Sequence, residues 1–145
     1  MSLVIDIADA VTAELNAAPP GTFTPSFTAV RRVLPEFDLA ELAELKVSVV
    51  PKHVEITGST RSASQYEIAV DIGVQKKLGK DLDSEVAALS TLVDQIADYL
   101  RRRPLGAAPF ASWVSISNEP VYAPEHLAEQ RVFTSVLTVS YRALK

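Results

Sequence analysis

The side chains that could carry chemistry in this chain are few and far apart. His53 and His126 are its only histidines, and histidine is the residue most suited to act as base or metal ligand near neutral pH. Neither has a second histidine, or an acid at ligand spacing, beside it. His53 reads as part of a strand or bulge and His126 as part of a surface loop, so both are expected to be non-catalytic. Serines are plentiful, but no G-x-S-x-G elbow and no S-x-x-K set is present to make one a nucleophile. Cysteine is absent, which removes thiol catalysis, thiolate metal sites and disulfides. The five glycines are scattered and build neither a P-loop nor a dinucleotide-binding turn.

Some charged and polar groups remain. Asp81, Asp83 and Glu85 resemble calcium ligands, but the glycine and closing glutamate of a calcium loop are missing. At the start of a helix the same acids complement the positive end of the macrodipole, and that is the reading adopted. Lys76, Lys77 and Lys80 form one basic group and Arg101, Arg102 and Arg103 another. Either could touch phosphate, yet a solvated turn and a helix C-terminus account for them more simply. The polar string TGSTRSASQ, residues 57–65, has the composition of a long, mobile hairpin loop. Within it Gly58, Ser59, Thr60, Arg61 and Ser62 are candidates for contact with a partner; the alternative is a bare hairpin tip. No catalytic constellation emerges, so no enzyme, cofactor or metal is expected.

The elements that would position these groups can be read from periodicity. Leu3, Ile7, Val11 and Leu15 recur at helical spacing over residues 3–17, with Ser2 available as N-cap, and Pro19, Pro20 and Gly21 end that helix. Residues 23–34 read as a strand that Pro25 confines to an edge or a strand start. Pro35 breaks it. Asp38 with Glu41 resembles a capping box, so a short helical turn is expected over 38–45, with an acidic loop as the alternative. Residues 46–50 form a strand, Pro51 marks a bulge or break, and Val54 and Ile56 continue it. Residues 66–74 are the clearest strand: Tyr66, Ile68, Val70, Ile72 and Val74 on one face, Glu67, Asp71 and Gln75 on the other. A helix over 82–102 carries the stripe Leu82, Val86, Leu89, Val93, Ile96 and Leu100. A short strand at 113–116 comes next, and a terminal strand over 131–144 places Phe133, Leu137, Val139 and Tyr141 on a core face. Strands joined by hairpins, with two main helices packed on one face, give an α+β fold with a largely antiparallel sheet.

The bulk numbers fit one domain. A chain of 145 residues can bury enough surface to fold without disulfide or metal. A net charge of −4 gives no basic footprint for nucleic acid. No basic region precedes the first apolar residues, and no apolar run reaches the length of a membrane span, so a soluble, intracellularly made protein is expected. A regular terminal strand must have a neighbour on its edge, and the Pro/Tyr-rich approach PVYAPEHLAEQ before it points to an assembly protein rather than an enzyme.

The order of residues adds to this. DLAELAELKVSVVPK, a polar hairpin, YEIAVDIGVQKKL, LSTLVDQIADYLRRRPL and the ending PVYAPEHLAEQRVFTSVLTVSYR together resemble small neck proteins of long-tailed phages and prophages. The resemblance spans residues 30–145 and is nearest to the tail terminator, or tail-completion, family. It implies a small α/β subunit in a homo-oligomeric, hexameric ring that caps the tail tube, ends its polymerisation and joins tail to head. Its implied partners are further copies of itself, the tail tube protein and the head-tail connector or stopper protein, with DNA passing through the lumen without specific binding and no membrane. Its implied location is the tail or neck of the virion, after assembly in the host cytoplasm. It carries over no active site. An acidic strand face, Glu67 and Asp71, would suit such a lumen, although a solvated face predicts the same residues. Two alternatives stand beside it: another neck component, an adaptor or stopper, and a small-ligand-binding α+β domain.

Overall fold

The computed structural model describes residues 2–33 and 41–144. The first helix, α1 (Leu3–Asn16), buries Ile7, Ala8, Ala10, Val11 and Leu15 along one stripe. Ser2 sits at its N-cap position, but its side chain makes no capping bond. At the end of the helix, Asn16 turns back: its Nδ2 donates to the carbonyl of Ala29 at 2.9 Å, and its Oδ1 accepts from the Ala29 N–H at 2.8 Å. That clamp starts β1 (Ala29–Arg31).

The expected strand over 23–34 is therefore mostly not a strand. Thr24–Pro25 is a cis peptide bond, and residues before Ala29 form turns that push aromatic rings inward. Phe23 is buried, with its ring 4.8 Å from that of Phe27 and 5.4 Å from that of Tyr99. Apolar residues here fill a gap under the second long helix rather than line a sheet. The break at Pro35 and the cap at Asp38 lie outside the described residues. A single 3-10 turn comes next, at Glu41–Ala43.

β2 (Lys46–Gly58) and β3 (Ser64–Lys77) form a long antiparallel hairpin, with the ladder shifting between Pro51 and His53 where the proline removes a donor. The ladder runs on to the pair Gly58 and Ser64. The long loop expected at residues 57–65 is thus a tight turn: the N–H groups of Ser59 and Thr60 donate to the Ala63 carbonyl at 3.2 and 3.1 Å, and the Ala63 N–H donates to Thr60 Oγ1 at 3.0 Å.

α2 (Leu82–Leu100) is capped by Asp81, whose carboxylate accepts from the Ser84 N–H at 3.3 Å. Glu85 accepts from the Gly79 N–H at 2.8 Å. These acids thus serve the helix start. At the other end the arginines lie just past the helix, and Arg103 folds back so that its Nε donates to the Tyr99 carbonyl at 2.8 Å while its guanidinium stacks on the Tyr99 ring. β4 (Ser112–Asn118), α3 (Pro124–Gln130) and β5 (Val132–Leu144) complete the chain. α3 replaces the loop expected around His126; Pro124 at its first turn is preorganised for a helix start.

The five strands lie in the order β1-β2-β3-β5-β4. β1 is parallel to β2 and every other pairing is antiparallel. Both long helices share one face. Their stripes meet Val47, Val49, Ile68, Val70, Ile72, Val74, Phe133, Leu137, Val139 and Tyr141 in one apolar cluster. The other face is polar along its middle, with Leu42 of the 3-10 turn buried outside that cluster. The expected α+β class, largely antiparallel with two helices on one face, is the fold observed. Among the described residues no helix is long and apolar enough to cross a membrane.

Candidate functional site

The sheet face away from α1 and α2 gathers side chains that the sequence scatters. Ladder register sets Glu55 opposite Glu67, and Glu67 opposite Arg142. It sets Asp71 opposite Thr138 and Gln75 opposite Thr134. Strand alternation puts these residues on the side away from α1 and α2. Glu67 and Asp71, the acids singled out in the sequence, do share this face.

Neither stands as a bare negative charge. Arg142 Nη2 lies 3.6 Å from Glu67 Oε1, and Lys52 Nζ lies 3.6 Å from Asp71 Oδ1. Thr138 Oγ1 donates to Asp71 at 2.7 Å. Partly exposed ion pairs of this kind contribute about 0–1 kcal/mol each, so their effect on stability is small. Their effect on surface potential is larger, because each of these two acids is matched by a cation. Glu55, on the far side of Glu67 from Arg142, adds a second carboxylate to that end of the face.

Toward the lower end of the face, Gln75 Nε2 donates to Thr134 Oγ1 at 3.4 Å, and His126 Nδ1 shares a 2.9 Å hydrogen bond with the same hydroxyl. His126 is thereby a helix residue tied to the sheet. His53 sits exposed at the β2 bulge, opposite Ala69. The two histidines do not meet. Among the described residues no three His, Asp or Glu side chains group as metal ligands would.

Gly58, Ser59, Thr60, Arg61 and Ser62 form the tip of the β2–β3 hairpin, several rungs beyond Glu67. All are exposed. The tip is one end of a ribbon whose outer half has little beneath it. Val54 and Ile56 point to the helix side, opposite Ile68 and Tyr66, yet are 36% and 57% exposed. Their alternation is legible as a strand; that the helices stop short of them is not.

The opposite edge of the sheet holds another feature hidden in the sequence. Trp113 of β4 pairs with Tyr141 of β5. The Trp113 indole N–H and the Tyr141 hydroxyl are both buried without a hydrogen-bond partner among the described residues. Burial pushes the Tyr141 hydroxyl well above the ordinary phenol range, with the Glu14 carboxylate adding to the shift. Beside Trp113 a cleft of about 330 Å³ is lined by Arg102, Pro104, Pro109, Ala111 and Ser112. It is open and shallow. A second hollow, about 290 Å³, lies among Leu3, Asp6, Phe110, Ala143 and Leu144. Neither brings several polar groups to bear on one buried point, as a small-molecule pocket does.

No family model matches the chain, and no curated protein matches it. Among solved structures, one chain from the virion of a native gene transfer agent (GTA) particle superposes on it with a TM-score of 0.60. That likeness covers 100% of each chain at 17% identity. It shows a shared fold, end to end. Another solved chain, 18% identical over 99% of this chain and 96% of its own, reaches only 0.43.

Proposed function

We propose that this chain is a structural subunit of a virion, and that it works at the head-proximal end of the tail as a tail terminator. It stops growth of the tail tube and presents a surface to the head connector, acting by shape and contact rather than turnover. The observation that carries the reading is the full-length likeness to a chain of the native GTA virion. Support for the tail end in particular comes from the residue-level resemblance, strongest in VDIGVQKK and in YAPEHL with FTSVLTVSYR. In this reading copies of the chain form a ring, and the sheet face away from α1 and α2, with Glu67 and Asp71, lines its lumen. A wall whose acids are matched by Arg142 and Lys52 neither grips phosphate nor repels it strongly, which suits a channel that DNA must pass.

The test is deletion of the gene in the virus or prophage that encodes it, followed by electron microscopy of the lysate. Overlong tails, or tails that fail to join heads, are the expected result. Heads that have leaked their DNA beside tails of normal length would instead make the chain a stopper. Particles of normal form and titre would end the virion reading.

A further inference from the structure

We infer that the outer half of β2 in one copy of this chain pairs with β4 of a second copy, so that the two sheets become one. β1 covers β2 only at Val47–Val49, the last bond being Arg32 N–H to the Val49 carbonyl at 2.9 Å. From residue 50 to Gly58 the outer edge of β2 has no strand partner among the described residues. β4 pairs with β5 on one side and, among the described residues, with no strand on the other. Among the described residues the sheet therefore ends in two unpaired edges, and a free edge is a template for a further strand.

The two edges are matched in sense. β2 and β5 are both antiparallel to β3, so they run parallel to each other; β4 is antiparallel to β5. β4 and β2 thus run in opposite directions. A second copy placed alongside, with its helices on the same side, meets the first as a regular antiparallel pair without being turned over. Each such contact leaves one β2 edge and one β4 edge free, so it repeats.

The faces also match. On the helix side the arm offers Val54 and Ile56, both exposed, and β4 offers Trp113 and Ile116, both half-buried. Antiparallel pairing sets the far end of β2 against the start of β4, which brings Ile56 to the cleft of about 330 Å³ beside Trp113. Lys52 on the arm and the register shifts in both strands discourage indiscriminate partners. The choice of a second copy as occupant rests on the proposed assembly role; the strand senses and the apolar match are independent of it.

The chain lacks cysteine, so an introduced pair reports only on itself. Thr57 and Ser112, both exposed, are replaced together (T57C/S112C) in the full chain, which is oxidised at high concentration and run on a denaturing gel. The double variant is expected to give a ladder extending beyond dimers, and each single variant none beyond dimers. Adding Ile56→Asp should cut the ladder about tenfold or more, the loss expected when an isoleucine no longer reaches an apolar cleft. Its thermal melt should stay as in the parent, because Ile56 is exposed. A double variant that stays monomeric, singles that dimerise as well as the double multimerises, or a ladder unaffected by Ile56→Asp would each overturn the contact. A ladder together with normal particles on gene deletion sinks the virion role alone. Aberrant particles with no ladder sink the edge contact alone.

Discussion

Tyr141 is the residue whose chemistry is least like its surroundings. It is fully buried and its hydroxyl has no partner. An unsatisfied buried hydroxyl costs about 1–3 kcal/mol, so Tyr141→Phe is expected to hold or raise stability, by up to about 1 kcal/mol, in thermal or urea unfolding. Its titration supplies a second readout. The folded state holds the phenol proton more tightly than the unfolded state. The stability linked to that proton is complete below pH 10, the ordinary phenol value, and is lost as pH rises above it. The wild type should lose about 1.4 kcal/mol per pH unit more than Tyr141→Phe in that alkaline range. Equal slopes for the two proteins would show that the phenol ionises as readily in the folded as in the unfolded chain and is not sealed from water.

At the scale of elements, the β2–β3 hairpin has two unlike halves. Its root, near Val47 and Val49, is buried under α1 and covered by β1. Its arm, from Val54 outward, has a neighbour strand on one side and, among the described residues, none on the other. Local opening depends on burial and pairing, so native-state hydrogen exchange should find arm amides at least about two decades less protected than those at the root. Uniform protection along β2 in a monomeric sample would contradict the division. The two halves also measure what can be read from the sequence. Alternation in residues 46–56 and 66–74 reveals both strands and the bulge at Pro51. The helices are legible from their stripes, and the acids before α2 from their place. Residues 23–28 mislead because Phe23 and Phe27 carry the composition of a strand while serving as a plug; only the Asn16 clamp on Ala29, a contact between distant segments, decides where the strand begins. The turn at residues 59–63 looks longer in the sequence because Thr57, Gly58, Ser64 and Gln65 are polar, and polar residues pair in an exposed ladder as readily as they loop. Of the candidate site, Glu67 and Asp71 are found by alternation. Their cations, Arg142 and Lys52, are not, since only ladder register brings them close.

The described residues present one sheet face covered by α1 and α2 and one polar face, and in the proposed ring the polar face looks inward. Replacing both acids (E67Q/D71N) removes the negative half of each pair and leaves Arg142 and Lys52 facing the channel. Unmatched cations attract phosphate, so DNA passage should slow, and titre per particle should fall about tenfold or more with particle numbers unchanged. The ratio of infectious or gene-delivering units to particles counted by microscopy reads this directly; an unchanged ratio would remove this face from the lumen. The order of strands has a separate consequence, for folding. β3 and β4 do not pair, and β5 lies between them, bonded to β3 along its whole length and to β4 over Leu137–Arg142. Neither of its ladders can be kept if β5 leaves, and α2 loses part of its floor with it. The sheet therefore has no sequence of edge-first detachments that spares its centre once β5 moves: loss of that one strand parts the molecule into a β2–β3 ribbon and a stray β4, and the core opens as a unit.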